Sequence, residues 1–251
     1  MFEHFFIVGA QRSGTSYLYH LLEEHPEIEM AKPIQPEPKF FLTDSLFERG
    51  LEYYQSHFFN SKAGARLRGE KSTSYIESEK VARRIAHCFP EARILFLLRD
   101  PIERAISNYY FSVNYGLEKM SIEEAFLQEE NRWLNYDPEQ TSASPFAYLR
   151  RGRYIDYLTM YESYFAAERL KVVVYEQLVK SLSLVQEIYA FLGVAADFAP
   201  AAYQKVINKT DKPDFSLSPE LTRYLINYFS ESNQHLTKRF KLDLSEWRTA
   251  G

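Results

Sequence analysis

The segment Phe5-Phe6-Ile7-Val8-Gly9-Ala10-Gln11-Arg12-Ser13-Gly14-Thr15-Ser16 constrains this 251-residue chain more than any other. A buried strand ends at Val8, two glycines bracket a tight loop, and leucines at 18, 21 and 22 give helical spacing after Gly14. Such a strand–loop–helix turns successive backbone N–H groups and a helix N-terminus toward one anion, the geometry of a P-loop-like phosphate-binding loop. A helix that returns the chain beside its own strand demands a parallel sheet with helices on its faces.

The rest of the chain agrees. Ile94 to Leu98 and Val172 to Tyr175 read as buried strands and Arg66 to Gly69 as a weaker one, with helical patterns over Val81 to Phe89 and Leu182 to Leu192. The expectation is an α/β fold in a single domain over residues 1–251, a central parallel sheet flanked by helices. Gln35 to Tyr54, with Pro36, Pro38 and clustered aromatics, reads as a structured excursion forming an active-site wall, and Asn135 to Ser144 as a mobile loop on the acceptor side.

A net charge of −4 excludes a protein that coats nucleic acid, so any anion site is local. Cys88 is the sole cysteine, which rules out an intrachain disulfide and a cysteine-rich metal site and points to the cytoplasm. No apolar stretch approaches a membrane span, so no membrane partner is expected.

In nucleoside-triphosphate loops of the form G-x-x-x-x-G-K-[ST], a lysine reaches the outer phosphates and the hydroxyl binds magnesium. Here Thr15 occupies the lysine position and the cation is Arg12, inside the loop. The strand Ile94 to Leu98 runs into Arg99 instead of an acidic magnesium ligand, so a metal-free donor fits better. Arg99-Asp100-Pro101 opens a helix in which Ser107 lies two turns on, and ligands of parallel sheets bind beyond the carboxyl ends of the strands. Arg99 and Ser107 thereby form a second anion site at the same rim, and two such sites imply phosphates at both ends of a nucleoside. The competing reading is a structural pair of Arg99 with Asp100 or Glu103.

Five segments, in order, resemble the sulfotransferases that use 3′-phosphoadenosine-5′-phosphosulfate (PAPS), in particular the heparan-sulfate and related bacterial branch. They are Gly9 to Ser16, Glu37-Pro38-Lys39-Phe40-Phe41, Gly69-Glu70-Lys71-Ser72-Thr73-Ser74-Tyr75, Arg99 to Tyr110, and Arg151-Gly152-Arg153-Tyr154. The resemblance implies that Gln11, Arg12, Ser13, Gly14, Thr15 and Ser16 bind the 5′-phosphosulfate. It gives the 3′-phosphate to Arg99 and Ser107, with Arg151 adding to that end. It makes Glu37 the general base, with Arg12 and Lys71 the cations at the leaving group. The expected donor is PAPS, the product is 3′,5′-bisphosphoadenosine (PAP), and no metal is required.

The family often has lysine where Arg12 stands, and a guanidinium supplies fixed charge in place of a transferable proton. Asn208 to Pro213 offers only Lys209 and Lys212 to the donor. A surface pairing of Lys71 with Glu70 or Glu77 is the bland alternative for that lysine, and a histidine is the second choice of base. The acceptor is a saccharide or small natural product whose hydroxyl or amine takes the sulfuryl group, with Phe40, Phe41, Tyr53, Tyr54, Tyr109 and Tyr110 available to stack on it. Two rivals remain open: a P-loop kinase, which demands magnesium and ATP, and a nucleotide-binding domain without turnover.

Overall fold

The computed structural model describes residues 2–136, 143–204 and 216–249. Most of the loop expected at Asn135 to Ser144, and all of Asn208 to Pro213, lie outside them.

In chain order the elements are β1 (Glu3–Gly9), α1 (Thr15–Glu23), β2 (Ile28–Met30), α2 (Asp44–Phe47), α3 (Gly50–Phe58), β3 (Leu67–Lys71), α4 (Glu79–Cys88), β4 (Arg93–Leu98) and α5 (Pro101–Asn114). Then come α6 (Ile122–Leu127), α7 (Glu129–Arg132), α8 (Tyr154–Glu162), β5 (Leu170–Val174), α9 (Tyr175–Leu178), α10 (Leu182–Leu192) and α11 (Pro219–Phe240). The chain divides into two compact units, residues 1–98 with 158–208 and residues 99–157 with 209–251.

The first unit holds a five-stranded sheet in the order β2-β3-β1-β4-β5, and every pairing is parallel. The central strands β1 and β4 are continuous apolar runs because both of their faces are covered. One layer packs Phe5, Ile7, Leu95 and Leu97 with Leu18, Leu21 and Leu22 of α1 and Val185, Ile188 and Leu192 of α10. Ser181 caps α10 by accepting from the Leu184 N–H, and Gly193, with φ 75°, ends it.

A second layer is aromatic. Phe6, Phe40, Phe41, Tyr54 and Phe89 interlock, with centroids 4.7 Å apart for Phe40–Tyr54 and 5.4 Å for Phe6–Phe41. Phe40, Phe41 and Tyr54 are wholly buried, so these three of the six rings expected to stack on the acceptor belong to the core instead. Their burial anchors the excursion that carries Glu37.

In the second unit, Asp100 caps α5 by accepting from Ile102 N (2.8 Å) and Glu103 N (3.1 Å), and Pro101 fills its first turn. Ile102, Ala105, Ile106 and Tyr109 of α5 pack with Phe126 of α6, Tyr148, and Leu225 and Phe229 of α11.

Candidate active site

The β1–β4 register shifts between Ile7 and Gly9, and Ala10 N donates to Leu97 O at 2.8 Å, which turns the chain off the sheet. Arg12 (φ 67°) and Gly14 (φ 86°) adopt left-handed backbone. At Gly14 a Cβ would lie 2.4 Å from the Tyr175 ring, so only glycine fits. Gly14 is also the N-cap of α1; it supplies no capping side chain, and the first turn holds no acid. By contrast α4, α5, α6, α10 and α11 are each capped by a serine or aspartate oxygen. No capping side chain or first-turn acid therefore offsets the positive end of α1, which can receive an anion.

Ser13 Oγ, fully buried in the loop, has no hydrogen-bond partner among the described residues. Gln11 Nε2 donates to Ser74 Oγ at 2.9 Å and ties the loop to the turn after β3. A buried, unsatisfied hydroxyl beside an uncapped helix start fits a phosphate or sulfuryl oxygen.

Glu37 and Lys71 meet although 34 residues separate them, with Lys71 Nζ 2.5 Å from Glu37 Oε1. Thr73 N donates to Oε2 at 2.9 Å, and Thr73 Oγ1 lies 3.0 Å from both carboxylate oxygens. The side chains are 3% (Lys71) and 13% (Glu37) exposed, so a surface pairing of Lys71 with Glu70 or Glu77 does not describe the lysine. A carboxylate offers about four lone-pair sites, and those not taken by Lys71 and Thr73 can receive an acceptor's proton.

The sequence reading missed what holds this carboxylate. Ser72 Oγ accepts from Lys39 N (3.0 Å), and the Tyr75 hydroxyl accepts from Phe41 N (2.9 Å). Both belong to the Gly69 to Tyr75 segment, but their backbone targets carry no sequence signal. Glu70, fully buried, was also missed; burial pushes its carboxyl up to about 7, with hydroxyls of Tyr75, Ser72 and Tyr54 opposing and the charge of Glu37 reinforcing the rise.

This shift has a stability consequence. Between its ordinary value of 4.5 and about 7, the folded protein keeps a proton on Glu70 that the unfolded chain has lost. Stability therefore falls as pH rises through that window and levels off above it, by roughly 3 kcal/mol at most. In Glu70→Gln this slope disappears from urea midpoints measured between pH 5 and 8 (about the titration range). An unchanged slope would show that Glu70 does not titrate there.

In the second unit Arg99 directly follows β4, and its carbonyl accepts from the Tyr154 hydroxyl at 2.8 Å. Its Nη2 lies 3.4 Å from Glu103 Oε2, so the structural pairing considered for it is present. Ser107 is buried in α5. The next residue, Asn108, accepts from Arg104 (3.3 Å) and Arg151 (3.4 Å), which places Arg151 beside the Ser107 turn. Buried Glu129 accepts from the Leu149 and Arg150 N–H groups and fixes the turn that carries Arg151. Arg153 is more exposed, pairing with Asp156 at 3.0 Å.

His4, His20 and His25 make packing and polar contacts. His4 stacks on Phe89 at 4.1 Å, and burial lowers it to about 4, so it stays neutral. His25 contacts Ala195 O at 2.9 Å, and His20 lies 3.3 Å from Glu23. Among the described residues no group of three or more His, Cys, Asp or Glu is placed to hold a metal ion, and no helix is long and apolar enough to cross a membrane.

Comparison with known proteins gives one picture. The chain is 24% identical to the membrane-associated sulfotransferase kil1 of Dictyostelium discoideum over 98% of its length and 66% of that protein's. It is 27% identical to the mouse bifunctional heparan sulfate N-deacetylase/N-sulfotransferase 4 over 77% of its length and 22% of that protein's. The chain thus spans under two thirds of either relative. The crystal structure of a sulfotransferase from Alicyclobacillus acidocaldarius superposes with a TM-score of 0.81 at 29% identity, covering 99% of both chains. Mouse sulfotransferase SULT7A1, solved in complex with PAP, shares the fold at a TM-score of 0.54 and 16% identity. Residues 2–236 match the model of the sulfotransferase domain, and the chain belongs to that family.

Proposed function

We propose that the protein transfers the sulfuryl group of PAPS to a hydroxyl or amine of a saccharide or small natural product. The observation that carries this reading is the Glu37 carboxylate held by Lys71 and Thr73 in the first unit, which also holds the anion loop. The loop residues Gln11 to Ser16 take the 5′-phosphosulfate, Arg99 and Ser107 the 3′-phosphate, and Arg151 supports that end. The acceptor's lone pair forms the new bond to sulfur and its proton passes to Glu37. The bond from sulfur to the 5′-phosphate oxygen breaks, and PAP leaves with its charge met by Arg12 and Lys71. No step requires a metal.

Several facts support the details. The family match runs through both units, in keeping with one catalytic domain over residues 1–251. PAP is bound by a protein of the same fold, and Thr15 replaces the lysine a kinase would need. The net charge of −4 favours a neutral acceptor over a long polyanion, and the lone cysteine supports the cytoplasm as its compartment.

The test is turnover. Incubated with PAPS, a chelator and a panel of neutral saccharides, amino sugars and phenols, the protein releases PAP, and one class of acceptor gains a sulfuryl group by mass spectrometry. PAP binding without transfer to any panel member would favour the non-catalytic reading.

A further inference from the structure

Behind the Glu37–Lys71 pair lies a carboxyl to which the transfer chemistry assigns no role. Glu70 is fully buried on β3, and its Oε1 accepts from Ser72 Oγ at 2.7 Å. With its proton so directed, the same serine oxygen accepts from Lys39 N at 3.0 Å. Lys39, with φ 50°, is the left-handed residue that turns the chain between Glu37 and the buried Phe40 and Phe41. A left-handed lysine is sterically disfavoured and persists only where its surroundings fix it. The Tyr75 hydroxyl fixes the next backbone donor but one, accepting from Phe41 N at 2.9 Å, and Tyr75 is itself placed by Tyr161, whose hydroxyl donates to Tyr75 O at 2.8 Å.

We propose that Glu70 is a positioning residue for Glu37: acting through Ser72, its buried carboxyl locks the Lys39 turn and so fixes where the Glu37 carboxylate stands against Lys71 and Thr73. The proposal rests on the reading of Glu37 as general base. A surface carboxylate could not do this, because water would compete for Ser72; burial removes the competitor. The groups facing Glu70 are the hydroxyls of Tyr54 from α3, of Ser72 and of Tyr75, with Glu37 the charged neighbour. Oxygen acceptance at position 70 is therefore the property required, and glutamine retains it.

The experiment compares Glu70→Gln, Glu70→Ala, Ser72→Ala and Glu37→Gln in the full chain. Residue-resolved amide exchange reads the turn directly. In Glu70→Ala and Ser72→Ala the Lys39 amide exchanges about tenfold faster or more while Ile7 and Leu95 amides of the sheet keep their protection; Glu70→Gln leaves all of them unchanged. PAP release from PAPS reads the consequence: kcat falls about tenfold in both alanine variants with KM for PAPS and PAP affinity within about twofold, and Glu70→Gln restores kcat. A general loosening would move exchange in the sheet and PAP affinity together. Unaltered Lys39 exchange in both alanine variants overturns the positioning role. Unaltered kcat in Glu37→Gln overturns the general-base reading beneath it, so the two failures appear in different signals. Should Glu70→Ala not fold, Ser72→Ala cuts the same link from the other side.

Discussion

Glu37→Gln lowers kcat by about a hundredfold or more while leaving PAPS binding nearly intact, the pattern expected when a general base is lost. Glutamine keeps the length of the side chain and an oxygen that accepts from Thr73 N, the contact measured at 2.9 Å. It cannot take up the acceptor's proton, and it surrenders the ion pair with Lys71, whose side chain is only 3% exposed. Losing one partner of so buried a pair leaves a charge uncompensated. Circular dichroism and PAP affinity therefore accompany the kinetics, to separate lost chemistry from lost structure. Turnover unchanged in a folded variant would remove Glu37 from the mechanism.

Arg99→Ala weakens PAP binding by about tenfold to a hundredfold and barely changes AMP binding, because a charge-assisted contact to the 3′-phosphate is worth roughly 1.5–3 kcal/mol and AMP lacks that group. The Arg99–Glu103 pair is an i,i+4 bridge at 3.4 Å with both side chains above 20% exposed (22% and 23%), and such pairs contribute little. Ser107→Ala acts in the same direction with a smaller loss, since it removes one neutral hydroxyl. Equal losses for PAP and AMP, measured by calorimetry, would contradict the 3′-phosphate assignment.

The legible parts of the fold were those whose stability is local. β1, β4 and β5 announce themselves as continuous apolar runs, and the loop at Gly9 to Ser16 as glycines between a strand and a helix. β2 went unread because it is three residues, one of them Glu29. That carboxylate tolerates burial only through Arg68 of β3, at 3.0 Å, and the N–H groups of Asn60 and Lys62. β3 looked weak for the same reason: Arg68, Glu70 and Lys71 stand in a fully buried strand, where Arg68 and Lys71 pair with carboxylates distant in sequence and Glu70 accepts from the Ser72 hydroxyl. In the site, Glu37 and Lys71 were individually visible through resemblance, whereas their ion pair was not, since nothing local links residues 34 apart. Phe40, Phe41 and Tyr54 sit in the core although the sequence offers them as a wall, because ring content alone does not tell a packed core from a lined cleft; only their burial does.

Isothermal titration of the wild-type protein with PAP, AMP and Mg-ATP, each repeated with EDTA, distinguishes a PAPS-type donor site from a nucleoside-triphosphate site. PAP binds tightest, by at least about tenfold over AMP, with no loss on chelation, and Mg-ATP gains nothing from its metal. Tight binding of Mg-ATP that EDTA abolishes, with PAP no better than AMP, would rule out PAPS as the donor.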